Sequence, residues 1–548
     1  MSEISQNAQT VFHYHESTKH HYDHYAKSLG YMDWDNQPNA FRFYQGAESL
    51  RLPLLKTDLN HSYYDLYRTD LTEPKKLLIE NVAALMELSM SISAWKEIPG
   101  AKWALRMNPS SGNLHPTEAY LILPWQTGWS GVFHYQPYFH GLEMLSDLSK
   151  EEWQPIHAHY GREGFFIVLT SIYWREAWKY GERAFRYCQH DMGHALAALR
   201  FSAALLGWQV KVISQATHDE MALCSGLSQR HQLQEEKEDP ECMLYICPKT
   251  TQPISENVSP DLISIMKTKK IRGKANQLSS AHAHWPIIDH VADATQIHLG
   301  LQMEIKKEEK WPAHKMNTKA LPVASQVIRK RRSAIAFDPD VSVTKEMLFH
   351  MLDKTLPRTG QSPFDLGIPL NRIHLFIFAH RVSGLESGLY AFLRDVNQLD
   401  ALKKGTNDQF DWKKEDGVLP LYLLKKGNYQ QEATQISCRQ DIAGQSSFSL
   451  GMVAEFESVV QRDPSQYRML FWEGGIIGQV LYLEAEALGV RATGIGCYFD
   501  DAMHQLLGIQ SRQWQSLYHF TVGGGLDDHR LTTHPPYDHL PQEDLHEE

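Results

Sequence analysis

The sequence predicts a duplicated chain of mixed helices and strands, whose two copies pack as a pseudo-dimer within one polypeptide. Residues 186–207 and 468–489 each begin with arginine, carry glycine at the eighth position and end with glycine. Residues 131–145 and 388–402 each begin with glycine and end with leucine, and the two blocks keep their order in both halves. Copies of about 250 residues are far longer than a solenoid repeat, and they suit an intrachain pseudo-dimer.

Composition limits the class of protein. A chain of 548 residues can bury two large cores. Its net charge of −11 argues against a general nucleic-acid surface. No apolar run approaches the ~20 residues that span a bilayer, and the N-terminus lacks the pattern of a secretory signal. The six cysteines are irregularly spaced, which favours reduced thiols. These observations predict a cytoplasmic protein that binds neither nucleic acid nor membrane.

In the first copy, which we place at residues 1–250, short apolar runs predict buried strands over 120–123 and 164–170. Alanine and leucine at helical spacing predict a long helix over 181–207, ended by glycine. Residues 251–325 mix proline, serine, lysine and glutamine with little apolar period, and they predict a linker with short helices.

The second copy, at residues 326–535, repeats this order of elements. We expect strands over 373–378 and 419–424 and a helix over 467–488. The acidic, proline-rich tail over 536–548 is expected to be frayed. Neither copy has a glycine-rich turn between its first strand and helix, so a dinucleotide-binding fold is not predicted.

Three segments carry residue types that suit an anionic, planar ligand. Arg331, Arg332 and Ser333 can bind phosphate through guanidinium and hydroxyl groups, although a solvated basic face has the same composition. Residues 108–113 combine a turn-forming proline with glycine, serine and asparagine, and a plain surface turn is the alternative. Residues 493–496 could place backbone N–H groups against a ring, or could simply join a helix to a strand.

Two further patterns have structural interpretations. The glycines at 474, 475 and 478 lie inside a helical pattern, which favours close helix packing over phosphate contact. The histidines at 13, 15, 20, 21 and 24 alternate with tyrosine and lysine, which favours a polar structural arm. We therefore predict no metal site.

Taken together, these motifs resemble the nitroreductase-like flavoprotein superfamily, and more closely its azoline-dehydrogenase branch, the SagB/ThcOx-type proteins. The resemblance covers most of both copies. The segments that carry it are 14–20, 33–38, 106–120, 178–187, 382–390 and 493–496.

The resemblance implies an α+β fold, with two nitroreductase-like domains that each have an antiparallel-dominated sheet flanked by helices. It also implies FMN held between the two copies. The second copy would contribute Arg331, Arg332, Ser333, Gly494, Ile495, Gly496 and Arg530. The first copy would contribute Pro109, Ser110, Ser111 and Asn113.

The symmetry-related site has lost these features. Val212 and Ser214 stand where the other copy has its two turn glycines, and residues 18–20 replace the arginine pair. Residues 358–363 replace the proline-serine-glycine turn. We therefore expect one FMN per chain. The second copy has Ile335 where the family commonly has a further arginine.

The resemblance assigns Lys179 and Tyr180 as catalytic acid/base residues, because this branch uses a Lys-Tyr pair in the same context. Lysine lowers its pKa readily on desolvation, and tyrosine can exchange a proton near a flavin. Adjacent Lys and Tyr are also typical of a helix-start surface. The pair lies in the copy whose own glycine turn is lost, so the sequence leaves open which pocket it faces.

The function predicted is FMN-dependent dehydrogenation of an azoline-like peptide heterocycle, by hydride transfer to flavin N5. One alternative is an NAD(P)H-dependent nitro or quinone reductase. Another is a non-catalytic flavin-binding scaffold subunit of a peptide-modifying complex. The expected partners are a small-molecule or peptide substrate and biosynthetic proteins, with the chain as a monomeric pseudo-dimer or a higher homo-oligomer. Substrate identity and electron acceptor stay open.

Overall fold

The computed structural model describes residues 3–68, 72–230, 232–249, 252–301, 311, 322–358, 360–415 and 417–541. Its α-helices are α1 (Glu3–Ser17), α2 (Ile79–Ser89), α3 (Lys150–Tyr160), α4 (Tyr173–Tyr180), α5 (Ala184–Leu205), α6 (His218–Cys224), α7 (Pro260–Thr268), α8 (Pro286–Ala294), α9 (Ala324–Lys330), α10 (Lys345–Lys354), α11 (Leu399–Gly405), α12 (Gln430–Ile436), α13 (Asp441–Gln445), α14 (Glu457–Arg462), α15 (Gln466–Ala487) and α16 (Asp500–Leu507).

The strands are β1 (Tyr44–Gln45), β2 (Glu48–Arg51), β3 (Ile92–Ile98), β4 (Ala101–Arg106), β5 (Thr117–Leu123), β6 (Gly131–Gln136), β7 (Gly141–Asp147), β8 (Phe165–Ile172), β9 (Trp208–Val212), β10 (Glu238–Pro248), β11 (Lys274–Ala275), β12 (Phe337–Asp338), β13 (Val343–Thr344), β14 (Ile373–Ala379), β15 (Val382–Ser383), β16 (Gly388–Phe392), β17 (Lys413–Lys414), β18 (Leu421–Lys426), β19 (Phe448–Glu455), β20 (Arg491–Ile495), β21 (Trp514–Gly525) and β22 (Thr532–His534).

The first half builds a seven-stranded antiparallel sheet in the order β2-β7-β6-β5-β8-β10-β9. Every residue of the central strand β8 is buried, as expected for a short apolar run that is covered on both faces. The two strands predicted for this half are confirmed as β5 and β8, with their ends shifted by up to three residues.

The second half builds an eight-stranded sheet in the order β12-β21-β19-β14-β16-β18-β17, with β20 beside β21. Its neighbouring strands are also antiparallel. The predicted strands of this half are confirmed as β14 and β18, although β18 begins at Leu421. The α+β class with antiparallel sheets is thereby confirmed, and the domain boundaries stay a prediction.

The two long helices, α5 and α15, cross at the repeated glycine. A methyl group added to Gly475 would lie 2.2 Å from the carbonyl oxygen of His190 and 2.8 Å from the Cα atom of Gly193. A methyl group on Gly193 would lie 2.2 Å from the carbonyl oxygen of Trp472. The backbones of α5 and α15 therefore touch at this point, which confirms the close helix packing predicted for Gly475. At Gly478 the close neighbour is a side chain, because an added methyl group would lie 2.7 Å from the Cε1 atom of His194.

Replacing Gly475 with alanine is expected to lower the free energy of unfolding by about 1–3 kcal/mol, because the helices must separate to admit the methyl group. The matched control is Gly474→Ala, one residue away in the same helix. A methyl group there meets nothing closer than 3.6 Å. That variant should be neutral or gain about 0.5–1 kcal/mol from helix propensity. Urea unfolding of both variants measures the difference, and equal stabilities would contradict the crossing.

The arginines that open the repeated blocks each reach into the opposite half. Arg186 pairs with Asp500 at 2.8 Å, and Arg468 pairs with Glu241 at 2.5 Å. All four side chains are essentially fully buried. Removal of one partner from such a pair leaves an uncompensated buried charge. The two halves are therefore held together reciprocally around the helix crossing.

The C-terminal segment is ordered against the first half, so the expectation of a frayed tail is wrong for residues 536–541. Strand β22 pairs with β3, and Tyr537 is buried beside Phe41 and Trp95. The indole nitrogen of Trp95 donates a hydrogen bond of 2.9 Å to the carbonyl oxygen of Pro536. Residues 542–548 lie outside the described residues.

The predicted linker contains the short helices α7 and α8, and Leu262 of α7 is fully buried. Residues 302–310 and 312–321 of the linker lie outside the described part of the chain. Among the helices that the structure describes, none combines the length and apolarity needed to cross a bilayer.

Candidate functional site

A cavity of about 440 Å³ lies between the two halves, and we call it the interface cavity. Three segments meet there: residues 108–113 between β4 and β5, residues 331–333 after α9, and residues 493–497 at the end of β20. The predicted cofactor residues that line it are Pro109, Ser110, Ser111, Asn113, Arg331, Arg332, Ser333, Gly494, Ile495 and Gly496.

Two arginines form one wall of the cavity. The Arg331 guanidinium donates to the carbonyl oxygens of Arg106 and Met107, both at 3.2 Å, and lies 5.0 Å from the centre of the Tyr482 ring. The Arg332 guanidinium donates only to backbone carbonyls. Burial lowers the pKa of Arg331, and it lowers the pKa of Arg332 to about 10. Neither side chain forms an ion pair within the described residues, so this wall is suited to an anion.

The glycine turn beside the arginines is fixed by two tyrosines. The Tyr482 hydroxyl lies 2.9 Å from the Ser333 hydroxyl, and it accepts a hydrogen bond of 3.0 Å from the backbone nitrogen of Gly494. A methyl group on Gly494 would lie 2.0 Å from the hydroxyl of Tyr518. Only glycine lets the strand pass this close to the ring, which explains its presence at the turn.

The opposite wall is the loop over residues 108–113, which Asp191 of α5 holds in place. The backbone nitrogen of Ser111 donates to the two Asp191 carboxylate oxygens at 3.0 and 3.2 Å, and the Ser111 hydroxyl donates at 3.0 Å. Gly112 and Asn113 have left-handed φ values of 58° and 60°. The Asn113 amide donates to the carbonyl oxygen of Ala104 at 2.8 Å, which closes the turn.

A buried acidic pair lies behind this loop. Burial raises the pKa of Asp191 to about 7, against the opposing hydrogen bonds from the serines. Burial and the neighbouring Asp191 charge raise the pKa of Glu176 well above its usual value, while Lys179 opposes the shift. Among the described residues, no donor meets either Glu176 oxygen in hydrogen-bond geometry. The site therefore favours a protonated Glu176.

Lys179 and Tyr180 end helix α4 beside the same loop. A methyl group on Gly112 would lie 2.6 Å from the Tyr180 hydroxyl and 3.2 Å from the Lys179 ammonium nitrogen. Tyr180 lines the interface cavity, and its ring lies 4.4 Å from the ring of Tyr187. Burial raises the pKa of the Tyr180 hydroxyl well above its usual value. Tyr180 thus lies at the pocket that holds the arginines, and Lys179 lies beside it next to Gly112 without lining the cavity.

Arg530 is the predicted cofactor-binding residue that the structure does not bring to the cavity. Its side chain is 87% exposed and forms an ion pair of 2.7 Å with Asp528. Asp528 and Leu531 line the rim, whereas Arg530 is absent from the lining. Its role in cofactor binding stays a prediction.

The region related to the cavity by the repeat is filled by protein. The backbone nitrogen of Val212 donates a hydrogen bond of 2.9 Å to the carbonyl oxygen of Leu366. Arg200 binds both carboxylate oxygens of Asp365 at 2.7 Å. The segment that follows residues 358–363 therefore packs directly on β9. Lys19, which stands in place of the arginine pair, is neutralised by two carboxylates at 3.0 Å.

Sequence reasoning missed several residues around the cavity, and Asp191 had a detectable signal. Asp191 and Glu473 occupy the same position of the repeated helices. Glu473 is paired with Arg394 and also accepts a hydrogen bond from the backbone nitrogen of Arg372 at 3.0 Å. Asp191 has no basic partner within ion-pair distance in the described chain. Both copies therefore carry an acid at this position, and of the two only Glu473 has a basic partner in the described chain.

Comparison with known proteins gives a family-model match within the second half and a fold for most of the chain. Residues 328–524 match the model of the Nitroreductase family. No curated protein matches the chain. A candidate nitroreductase from Anabaena variabilis has a similar structure, with a TM-score of 0.66 and 21% identity over 94% of this chain and 99% of that chain.

Two other solved structures are similar over smaller parts. The Escherichia coli microcin synthetase McbBCD complex with truncated pro-MccB17 has a TM-score of 0.25 and 19% identity, over 33% of this chain and 66% of that chain. The NADPH:FMN oxidoreductase from Vibrio harveyi complexed with NAD+ has a TM-score of 0.23 and 15% identity, over 37% of this chain and 68% of that chain. The chain therefore has the fold of the Anabaena protein over most of its length, and its residues 328–524 match the Nitroreductase family model.

Proposed function

We propose that the protein is an FMN-dependent oxidoreductase with one cofactor site, at the interface cavity. The observation that carries this proposal is a pair of arginines without ion-pair partners in the described chain. They lie beside the glycine turn of their own half and face a polar loop from the first half. Arg331 and Arg332 lie within the segment that matches the Nitroreductase family. A volume of about 440 Å³ is in the range of small-molecule and cofactor sites.

The polar groups of the cavity fit this cofactor. The Arg331 Nε and the Asn108 side-chain oxygen are buried without a hydrogen-bond partner among the described residues, so a ligand can satisfy both. Arg331, Arg332 and Ser333 would hold the phosphate. The backbone of residues 494–496 and the loop over 108–113 would hold the ring and the ribityl chain, since glycine allows close approach there.

We further propose dehydrogenation of an azoline-like peptide heterocycle as the reaction. Bound FMN would supply the acceptor for the substrate hydride. The protein's part is to remove the proton from the substrate carbon. Because burial keeps the Tyr180 hydroxyl protonated, we assign proton acceptance to the neutral amine form of Lys179, and hydrogen bonding of the substrate to Tyr180. Burial raises the pKa of Glu176, which favours its neutral form near Lys179.

The purified protein is expected to contain about one FMN per chain. The packing of Asp365 and Leu366 on β9 leaves the related position closed, and Lys19 is already paired. Flavin released by denaturation and measured against protein concentration gives the ratio. A ratio near two would contradict the single-site proposal, and a protein that rejects added FMN would contradict the flavoprotein proposal.

A further inference from the structure

Two cysteines stand at the edge of the interface cavity with their sulfur atoms 2.7 Å apart. Cys497 lines the cavity directly after Gly496, and Cys438 lies in the turn between α12 and α13. Both are partly exposed free thiols, whereas the other four cysteines of the chain are buried. These two thiols are therefore the ones that a solute can reach.

The backbone holds the two thiols together. The nitrogen of Phe499 donates to the carbonyl oxygen of Ile436 at 2.7 Å, and the Gln440 amide donates to the carbonyl oxygen of Cys497 at 3.1 Å. Cys438 sits between these two links with a left-handed φ of 52°. A disulfide has an S–S distance of about 2.03–2.05 Å, so a small shift of the side chains would suffice to form one.

The surroundings favour Cys497 as the nucleophile. Its hydrogen bond with Cys438 lowers the pKa of the Cys497 thiol, and the nearby Arg183 guanidinium acts in the same direction, against burial and Asp500. The same hydrogen bond raises the pKa of Cys438. A thiolate attacks disulfides, whereas a thiol does not, so the two cysteines have distinct roles.

We propose that Cys438 and Cys497 form a redox-active dithiol, which low-molecular-weight disulfides such as oxidised glutathione convert to an intramolecular disulfide. The Cys497 thiolate attacks one sulfur of the oxidant and releases one glutathione thiolate, leaving a mixed disulfide. Cys438 then loses its proton and attacks the Cys497 sulfur, which releases the second glutathione. The protein loses two electrons and two protons, and both glutathiones carry them away.

The inference does not depend on the proposed flavin function, because the test measures thiols. The full chain is equilibrated in glutathione buffers of increasing oxidised fraction, quenched in acid, denatured and alkylated, and its peptides are identified by mass spectrometry. We expect reduced protein to take up six labels and oxidised protein four, with a peptide crosslinked between Cys438 and Cys497. The buried Cys188 and Cys242 serve as internal controls that stay labelled.

Single variants separate the two roles. C438S should accumulate glutathione on Cys497, because the second attack is removed. C497S should react with oxidised glutathione at least about tenfold more slowly, because only Cys438 is then left to attack it. Six labels in wild-type protein at every buffer composition would overturn the proposal. It would also be overturned if non-reducing electrophoresis showed that the lost labels come from disulfides between two chains. The wild-type result decides the question even if a variant fails to fold.

Discussion

Replacing Arg332 with alanine is expected to weaken FMN binding by about 1.5–3 kcal/mol, which corresponds to roughly 10–150-fold in Kd. The guanidinium lines the interface cavity and has only backbone carbonyls as partners, so its charge is available to a phosphate. Titration of flavin-free protein with FMN, followed by quenching of flavin fluorescence, measures the loss. Arg332→Lys should lose less, because it keeps the charge and loses the planar donor fork.

The matched control is Lys19→Ala at the related position of the first copy. Lys19 is held by Glu16 and Asp501, each at 3.0 Å, and should contribute little to FMN affinity. Thermal unfolding of the flavin-free variants separates a loss of binding from a loss of fold. Equal losses of affinity from Arg332→Ala and Lys19→Ala would mean that the phosphate binds elsewhere or that both positions are occupied.

The repeat made the centre of the fold predictable. Its glycines mark the point where the two helices touch, and its arginines mark the ion pairs that cross between the halves. Both copies keep glycine at this position because the helices pack too closely there to leave room for a methyl group on Gly193 or Gly475. The resemblance assigned the cavity segments, and the structure places ten of the predicted cofactor residues on one cavity lining.

What the sequence missed depends on contacts between distant segments. The tail over 536–541 reads as polar and proline-rich, yet Tyr537 packs against a hairpin more than 400 residues earlier, and its hydroxyl donates to the carbonyl oxygen of Pro137. Local composition carries no information about such a partner. Arg530 shows the converse, because its exposed guanidinium pairs with the neighbouring Asp528 and does not line the cavity.

The acidic pair behind the loop also could not be predicted from the sequence. Glu176 lies one helical turn before Lys179 and Tyr180, on the same side of α4, a spacing that is common on exposed helices. Only the structure shows that Glu176 is fully buried and next to Asp191. Burial of a carboxyl favours its neutral form over the negative charge that its residue type suggests, so the electrostatics of the Lys-Tyr pair could not be predicted from the sequence alone.

Lys179→Ala and Tyr180→Phe are each expected to slow oxidation of an azoline peptide by about 10²–10⁴-fold, the usual contribution of a positioned acid or base. Both side chains approach Gly112 of the loop proposed to hold the flavin, the ammonium nitrogen at 3.2 Å and the hydroxyl at 2.6 Å from an added methyl group. Neither is proposed to bind the cofactor phosphate, so both variants should retain FMN. Stopped-flow reduction of the bound flavin by the peptide measures the rate.

The same variants separate the proposed dehydrogenase from a nicotinamide-driven reductase. Reduction by NADH or NADPH requires no proton abstraction from the donor carbon, so both substitutions should leave that rate nearly unchanged. Fast nicotinamide reduction in wild type and variants, without turnover of any azoline peptide, would favour the reductase. A flavin that neither donor reduces would favour a scaffold role, because the cavity would then bind the cofactor without the proton transfer proposed for Lys179. A selective loss with the peptide donor is the result expected if Lys179 accepts the proton from the substrate carbon and Tyr180 binds the substrate.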